Sequence, residues 1–383
     1  MDSIIQQINA LWDKASEEER KGIHDSLQSL IVFFDTEWDL LMRMASGLLV
    51  PALAKVGASW DIFNFLVRKG SPASINEFIE PSGASLPMLR RILRALAAYE
   101  LIEQTGVEEY KANRVTVVLS NTHAPGALSH IFDTLGPQIQ AMPGFFNDNR
   151  SHTTIEKTDT AFSRAFNTTL SGFEWMDKHP DKMEALSHFM AVSQDSNWME
   201  KFSVLQEFAS APPAPGDAAL VDIGGGFGHQ GILFHQRYPQ LGHVVVQDTA
   251  QVVRGANAKP VDGVEFHPFD FFQPQPVRAK LYYLRYVLHD WNDEDCVKIL
   301  KATIPAMRPN SRIVIDEVVL PDGKIPWQAA WLDIVMATSV GTTERTRSEW
   351  EALLQAAGLR IVETIQYNSR MHCAIIAVPE EAS

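Results

Sequence analysis

An apolar run from Ala218 to Ile223 stops at Gly224-Gly-Gly-Phe-Gly228 and gives way to a helix-like segment that reaches Tyr238. That order reads as strand, tight turn and helix. Glycines at 224, 226 and 228 permit positive φ and a close backbone approach, and the helix N-terminus behind them offers free N–H groups to a ligand. Such a turn belongs in a mainly parallel, doubly wound sheet that binds ligands at the carboxyl ends of its strands. Gly226 to Gly231 also fits the dinucleotide fingerprint G-x-G-x-x-G, with Asp248 about twenty residues further on, so the turn alone implies a nucleotide-like cofactor without choosing one. A turn that binds nothing is the plain alternative.

Asp222 narrows the choice. It stands at the end of the strand, two residues before the first glycine, where a carboxylate is poorly placed beside a pyrophosphate and well placed beside a cation. S-adenosylmethionine carries a sulfonium and an ammonium and no phosphate. The spacing Asp222-x-Gly224-x-Gly226-x-Gly228 resembles the first motif of class I methyltransferases, whereas a dinucleotide register would begin only at Gly226, late for a turn that opens directly from the strand.

Strands are expected at 218–223, 243–248, 264–267, 280–288, 312–319, 360–366 and 372–378, interleaved with helices at 229–238, 249–255, 293–307, 328–339 and 347–357. The turn Asn368-Ser-Arg370 makes the last two strands an antiparallel pair. Ala211-Pro-Pro-Ala-Pro-Gly216 breaks all periodicity before this region. With 383 residues there is room for more than one domain, and the reading is a helical domain over 1–120, a helical substrate-pocket segment over 121–210 and the cofactor-binding Rossmann-like domain over 211–383.

Helical periodicity covers residues 4–46, with Ile4, Ile5, Ile8, Leu11 and Trp12 on one face and Ile23, Leu27, Leu30, Ile31 and Phe34 on a second. So much apolar surface calls for a partner, and a homodimer is expected, with packing on the chain's own second domain as the alternative. Helices at 53–67, 75–80 and 86–99, followed by strands at 101–104 and 110–118, form a winged-helix pattern. Such modules often read DNA, and Arg90, Arg91 and Arg94 lie on the third helix, but Glu77, Glu80, Glu100, Glu103, Glu108 and Glu109 prevent a continuous basic face.

The 33 basic and 47 acidic residues, a formal charge of −14, also argue against nucleic acid or an anionic membrane and favour a small neutral or weakly acidic substrate. Cys296 and Cys373 provide neither a disulfide framework nor metal-ligand spacing, so no metal is expected. Met1 to Ala10 lacks a basic region leading into an apolar core, and no apolar run is read as reaching membrane-spanning length, so a cytoplasmic protein is expected. Within 121–210, Phe162 and Phe166 lie four apart on one helical face and suit a planar or greasy ligand.

Several polar residues fall at strand ends on the cofactor side. Asp248 can accept from ribose hydroxyls, and Asp270 can bond an adenine amino group while Phe271 covers the ring. His289-Asp-Trp291 ends the fourth strand, Glu317 lies late in the fifth, and Glu344 follows Gly341-Thr-Thr. A histidine at such a place is often only a turn residue.

Taken together, the glycine turn, Gln247-Asp248, Asp270-Phe271, Arg285 to Trp291 and Glu344-Arg-Thr346 resemble the plant-type, caffeate-like small-molecule O-methyltransferases, and the resemblance covers nearly the whole chain. It implies an α/β Rossmann-like class I methyltransferase fold with an N-terminal helical winged-helix dimerisation domain, S-adenosylmethionine as methyl donor, and a hydroxyl of a small secondary metabolite as acceptor. It assigns His289 as general base flanked by Glu317 and Glu344, with Asp222, Gly224, Gly226, Asp248, Asp270 and Phe271 at the donor and Arg285 where the family usually has lysine. On the substrate side fall His130, Phe162, Phe166, Asn197, Trp198 and Met336. Phe173 and Leu170 depart from the family's histidine and methionine at their positions. An imidazole at its ordinary pKa near 6.5 is neutral at pH 7 and available as a base. Some relatives of this fold bind the same donor yet catalyse pericyclic cyclisations, often with the transfer base replaced, and a cyclase is therefore the alternative function; the retained His289 and glutamates favour methyl transfer.

Overall fold

The computed structural model describes residues 2–152, 154–192, 198–256 and 261–380. The chain divides into two compact units, one of 1–15, 19–141 and 173–193 and the other of 16–18, 142–172 and 194–383. The stretch 121–210 is divided between the two units.

The first unit opens with α1 (Asp2–Lys14), α2 (Glu17–Phe34) and α3 (Glu37–Ser59). Thr36 starts α3 with a capping box, its hydroxyl accepting from the Asp39 N–H while the Asp39 carboxylate accepts from Thr36. Ile5, Trp12, Phe33, Phe34, Trp38 and Leu41 are all exposed on these helices. The reading that no apolar run reaches membrane-spanning length is corrected here: by length and composition α3 is apolar enough, with a mean hydropathy of 1.4 over an 18-residue window. The cause is a run of Leu, Val, Ala and Met that is only 17% buried.

The unit's core gathers Leu53 of α3 with Phe63, Leu66, Phe78, Leu89 and Leu93 around the buried Tyr110. The helix expected over 53–67 is broken at Asp61, which takes φ +55° and leaves Ile62–Lys69 as a separate helix. A small antiparallel sheet runs in the order β1 (Ala73–Ser74), β3 (Glu109–Lys111), β2 (Glu103–Gly106). The expected strand 110–118 is cut short, because Asn113 and Thr116 form a capping box that starts the helix Arg114–Leu119.

The second unit holds the large sheet. Its order is β10 (Leu359–Gln366), β11 (His372–Pro379), β8 (Arg312–Leu320), β7 (Ala279–Arg285), β4 (Ala218–Ile223), β5 (Val244–Asp248), β6 (Val264–Pro268), with β9 (Arg345–Thr346) paired to β8. Strands β4 to β8 are parallel, and β11 is antiparallel to both neighbours. Every residue of β4 is buried, as a strand covered on both faces requires. From β4 the chain runs outward to β5 and β6 and then returns to the other side of β4 as β7, so the order reverses between β4 and β7. Ligands collect at such a reversal. Register sets Asp222 of β4 opposite Tyr283 of β7, which brings the ends of these two strands together.

Candidate active site

The turn after β4 is held to the neighbouring strand, since Gly224 and Gly225 donate N–H bonds to the Gln247 carbonyl at 2.8 and 3.1 Å. Gly224, Gly226 and Gly228 take φ of +69°, +59° and +77°, conformations that side chains strain to adopt. A Cβ at Gly228 would lie 2.7 Å from the Phe266 ring, and one at Gly224 2.8 Å from Val287, whereas one at Gly226 would meet nothing within 4 Å. The turn is therefore packed at its ends and open at its middle. At that open point Asp248 Oδ2 accepts the Gly226 N–H at 2.8 Å, while Oδ1 accepts from Thr249 at 2.7 Å. Asp222 lies beneath the turn, 2% exposed, with Oδ2 accepting the Gly231 N–H at 3.1 Å. Burial pushes its carboxyl up to about 7 and raises that of Asp248 as well.

Asp270 is tied into its own turn, accepting from the Phe272 N–H at 3.0 Å, and leaves Phe271 edge-on to Trp291 with centroids 5.8 Å apart. Arg285 lies at the end of β7 with its side chain 8% exposed; its guanidinium is 3.4 Å from Asp316 and over the Tyr286 ring. Asp316 also accepts from the hydroxyls of Tyr283 and Tyr367. Arg285 thus anchors a buried network under the strand ends.

The fourth parallel strand ends at Arg285 rather than at 288. The reason is Glu317, fully buried in β8, whose Oε1 takes the N–H groups of Val287 and Leu288 at 3.0 Å each and that of His289 at 3.4 Å. Those amides bend around the carboxylate, and Leu288–Asp290 becomes one 3₁₀ turn carrying His289. Glu344 Oε1 lies 2.7 Å from His289 Nδ1, and Glu317 Oε2 lies 3.8 Å from it. With Nδ1 donating to Glu344, Nε2 is the nitrogen left for proton exchange.

Two residues not assigned from sequence secure this arrangement: Thr342 donates to the His289 carbonyl at 2.6 Å, and Asp333 accepts the Glu344 N–H at 2.9 Å. Gly341-Thr-Thr was legible as a loop; nothing in the spacing marks Asp333. His289, Glu317 and Glu344 place donor atoms within 4.8 Å of one another, a grouping of metal-ligand type that sequence spacing did not reveal because the three come from distant segments.

The expectation of an ordinary, neutral imidazole is overturned. Burial alone would lower the pKa of His289, but Glu317, Asp290 and Glu344 outweigh it and push the ring up to about 10. Burial also raises Glu317, with His289 opposing, so the pair holds a proton more tightly than either group would alone. Asp290 is raised to about 6, mainly by burial.

On the substrate side, Phe162 and Phe166 touch with centroids 4.7 Å apart on and just after the helix Ala161–Ala165. Thr160, which caps that helix, donates to the Ser339 carbonyl at the end of Trp327–Ser339, the helix that carries Met336. The Met336 carbonyl accepts from Val340 and Gly341, where the loop to Glu344 begins. Phe162, Phe166 and Met336 thereby belong to segments joined to the His289 cluster. Trp198 does not: it is wholly buried in the sheet's other core, stacked on Tyr283 at 4.8 Å, because its ring fills the space above β7. Asn197 lies outside the described residues. His130, in the first unit, is 4% exposed, tilted against Phe189 at 5.2 Å, and burial alone lowers its pKa to about 4, so it is neutral.

Two family models match the chain, an O-methyltransferase domain over residues 148–360 and an O-methyltransferase dimerisation domain over 42–122. The chain belongs to the O-methyltransferase family. It is 42% identical, over 99% of its length and 98% of the relative's, to a demethylsterigmatocystin 6-O-methyltransferase of Aspergillus flavus. It is 41% identical to the O-methyltransferase okaF of Penicillium ochrochloron, over 99% and 100% of the two chains. The solved structure of LepI in complex with SAM superposes with a TM-score of 0.93 at 32% identity, covering 99% of this chain and 98% of that one. A further structure, at the same TM-score of 0.93 and 32% identity over 99% of each chain, is described as a pericyclic reaction enzyme. S-adenosylmethionine is the family's methyl donor. The site suits it, because a backbone left open at Gly226 and carboxyls lifted by burial accept a cationic ligand with no phosphate to accommodate.

Proposed function

We propose that this O-methyltransferase methylates a phenolic or enolic hydroxyl of a largely apolar aromatic secondary metabolite, with His289 as general base. The observation that carries this reading is the 2.7 Å contact between His289 Nδ1 and Glu344, with Glu317 bracing the same turn. In this assignment Asp222, Gly224, Gly226, Asp248, Asp270 and Phe271 hold the donor from the strand ends. Arg285 supports them through Asp316. Phe162, Phe166 and Met336 receive the acceptor.

When bound, S-adenosylmethionine supplies an electrophilic methyl group. The protein's part is to make the acceptor oxygen nucleophilic and to keep water out. The hydroxyl's proton goes to Nε2 of the unprotonated ring. A phenol has a pKa of about 10 and the carboxylates raise the imidazole to about the same value, so the transfer has little driving force either way. Because the ring must first release the proton it holds below that pH, the rate should rise with pH. Glu344 fixes the tautomer and stabilises the imidazolium through Nδ1, as the acid of a catalytic triad does. Glu317 spends one oxygen on the turn's amides and keeps the other near the ring, which locks both the position of the base and its charge.

The exposed apolar faces of α1 to α3 support a homodimer, with the helices and small sheet of the first unit as a winged-helix dimerisation module. Light scattering at micromolar concentration should return the mass of a dimer; a monomer would remove this part of the reading. A cytoplasmic location belongs to the same proposal and rests on the acidic composition and two buried free thiols, Cys296 and Cys373; cell fractionation tests it.

The deciding experiment is mass spectrometry of products from a panel of polycyclic phenols, beginning with demethylsterigmatocystin, with and without donor. Products heavier by one methylene unit, with stoichiometric S-adenosylhomocysteine, support methyl transfer. The likeness to a pericyclic reaction enzyme gives the second reading its observation. An unmethylated cyclised product, with the donor unconsumed, would establish that one instead.

A further inference from the structure

Tyr286 follows β7 with φ of +51°, a left-handed conformation in which a bulky side chain is strained and persists only where its surroundings over-determine it. Three contacts do so here. Its N–H donates to the Asp316 carbonyl at 3.3 Å, and its hydroxyl lies 2.5 Å from Nε2 of His372. Its ring stacks on the imidazole of His289, with centroids 5.2 Å apart and planes inclined by 27°. Met371, immediately before His372, is also left-handed, with φ of +70°.

The direction of this chain of bonds follows from Asn368. Its Oδ1 accepts the N–H groups of Arg370 and His372 at 2.9 and 3.2 Å, which turns its Nδ2 toward His372 Nδ1 at 2.6 Å. An amide nitrogen only donates, so Nδ1 accepts and the proton of a neutral His372 lies on Nε2, from which it is donated to the Tyr286 oxygen. The phenol is thus fastened at its far end while its face lies against His289.

We propose that Tyr286 is a positioning residue of the active site: fastened through His372 and Asn368, its ring holds the His289 imidazole in orientation for proton transfer and favours the imidazolium. The inference rests on His289 acting as the base. The other groups facing His289 are Glu317 from β8, Glu344 from the loop before β9 and Asp290 from its own turn, while Arg345 of β9 reaches the adjacent Leu288 carbonyl. Glu317 and Glu344 approach the Nδ1 edge and Asp290 the Nε2 edge, whereas Tyr286 acts on the ring face. An electron-rich face stabilises a cation stacked on it, so the two kinds of contact are separable by substitution.

The test compares Tyr286→Leu, which removes the ring, with Tyr286→Phe and His372→Ala, which keep it and remove its fastening. The readouts are the pH profile of kcat, the NMR titration of His289 in the S-adenosylhomocysteine complex, and the affinity for that product as the check on folding. Tyr286→Leu should lower the His289 titration by on the order of half a unit and kcat about tenfold, with KM and product affinity little changed. The two milder variants should keep the titration close to wild type and lose less in kcat. An unmoved titration in Tyr286→Leu, or a loss confined to KM, would overturn the inference. Should Tyr286→Leu not fold, equal and large shifts of the titration in the two milder variants would overturn it as well. His289→Ala with undiminished transfer would instead sink the base assignment, which the NMR titration does not depend on.

Discussion

At the glycine turn, Asp222 and Asp248 are buried against neutral donors, the N–H groups of Gly231, Gly226 and Thr249. Past the end of β7, Glu317, Glu344 and Asp290 are buried around His289. The same residue chemistry, taken out of water, does opposite work. The first pair carries the cost of burial as raised proton affinity, Asp222 to about 7, and that cost is relieved when a cation arrives. The second set supplies its own cation and transfers the cost to it, so that His289 holds its proton up to about 10. On the proposed reading the first is the donor end, which receives charge from outside, and the second the acceptor end, which keeps charge inside until an acceptor takes part.

Removing the cation from the acceptor end should have the largest effect. His289→Ala is expected to lose on the order of a hundredfold or more in methyl transfer, the usual scale for a general base, while calorimetry shows product affinity near wild type. Loss of affinity together with rate would mean that the two ends are not separate. Asp248→Ala should do the converse, weakening donor binding about tenfold through loss of a hydrogen-bonded carboxylate, with kcat largely recovered at saturating donor. The smallest effect is in pH. Below about 7 the Asp222 carboxyl is protonated and neutral, and above it the carboxylate is present, so affinity for S-adenosylmethionine should rise by a few-fold between pH 6 and 8. S-adenosylhomocysteine, which lacks the sulfonium, should respond less, and equal responses would remove Asp222 from the account.

The glycine turn was largely legible in the sequence because it is local: strand, glycines and helix N-terminus follow one another from Ala218 to Arg237. Local signals failed where a distant group took over the backbone. β7 stops short because Glu317, 30 positions beyond Val287, captures its amides. The β-branched run Val115 to Val118 reads as strand, yet Asn113 caps it into a helix. His289 could be singled out from the motif but its proton affinity could not be read there, since Glu344 arrives from 55 positions away. Trp198 was misplaced because an aromatic residue that fills a core and one that lines a pocket look alike in one dimension.

The antiparallel strand β11 lies between β10 and β8, with His372 opposite Val318 and Ala377 opposite Ile313. During synthesis β8 emerges well before β11 does, so the Ile313-Val-Ile315 edge waits with its hydrogen-bonding groups unpaired, a template for association with other nascent chains. Newly made protein should therefore be exposed to aggregation in the interval between these two strands. Slowing elongation after β8 should lower soluble yield, and providing chaperones that shield strand edges should recover it.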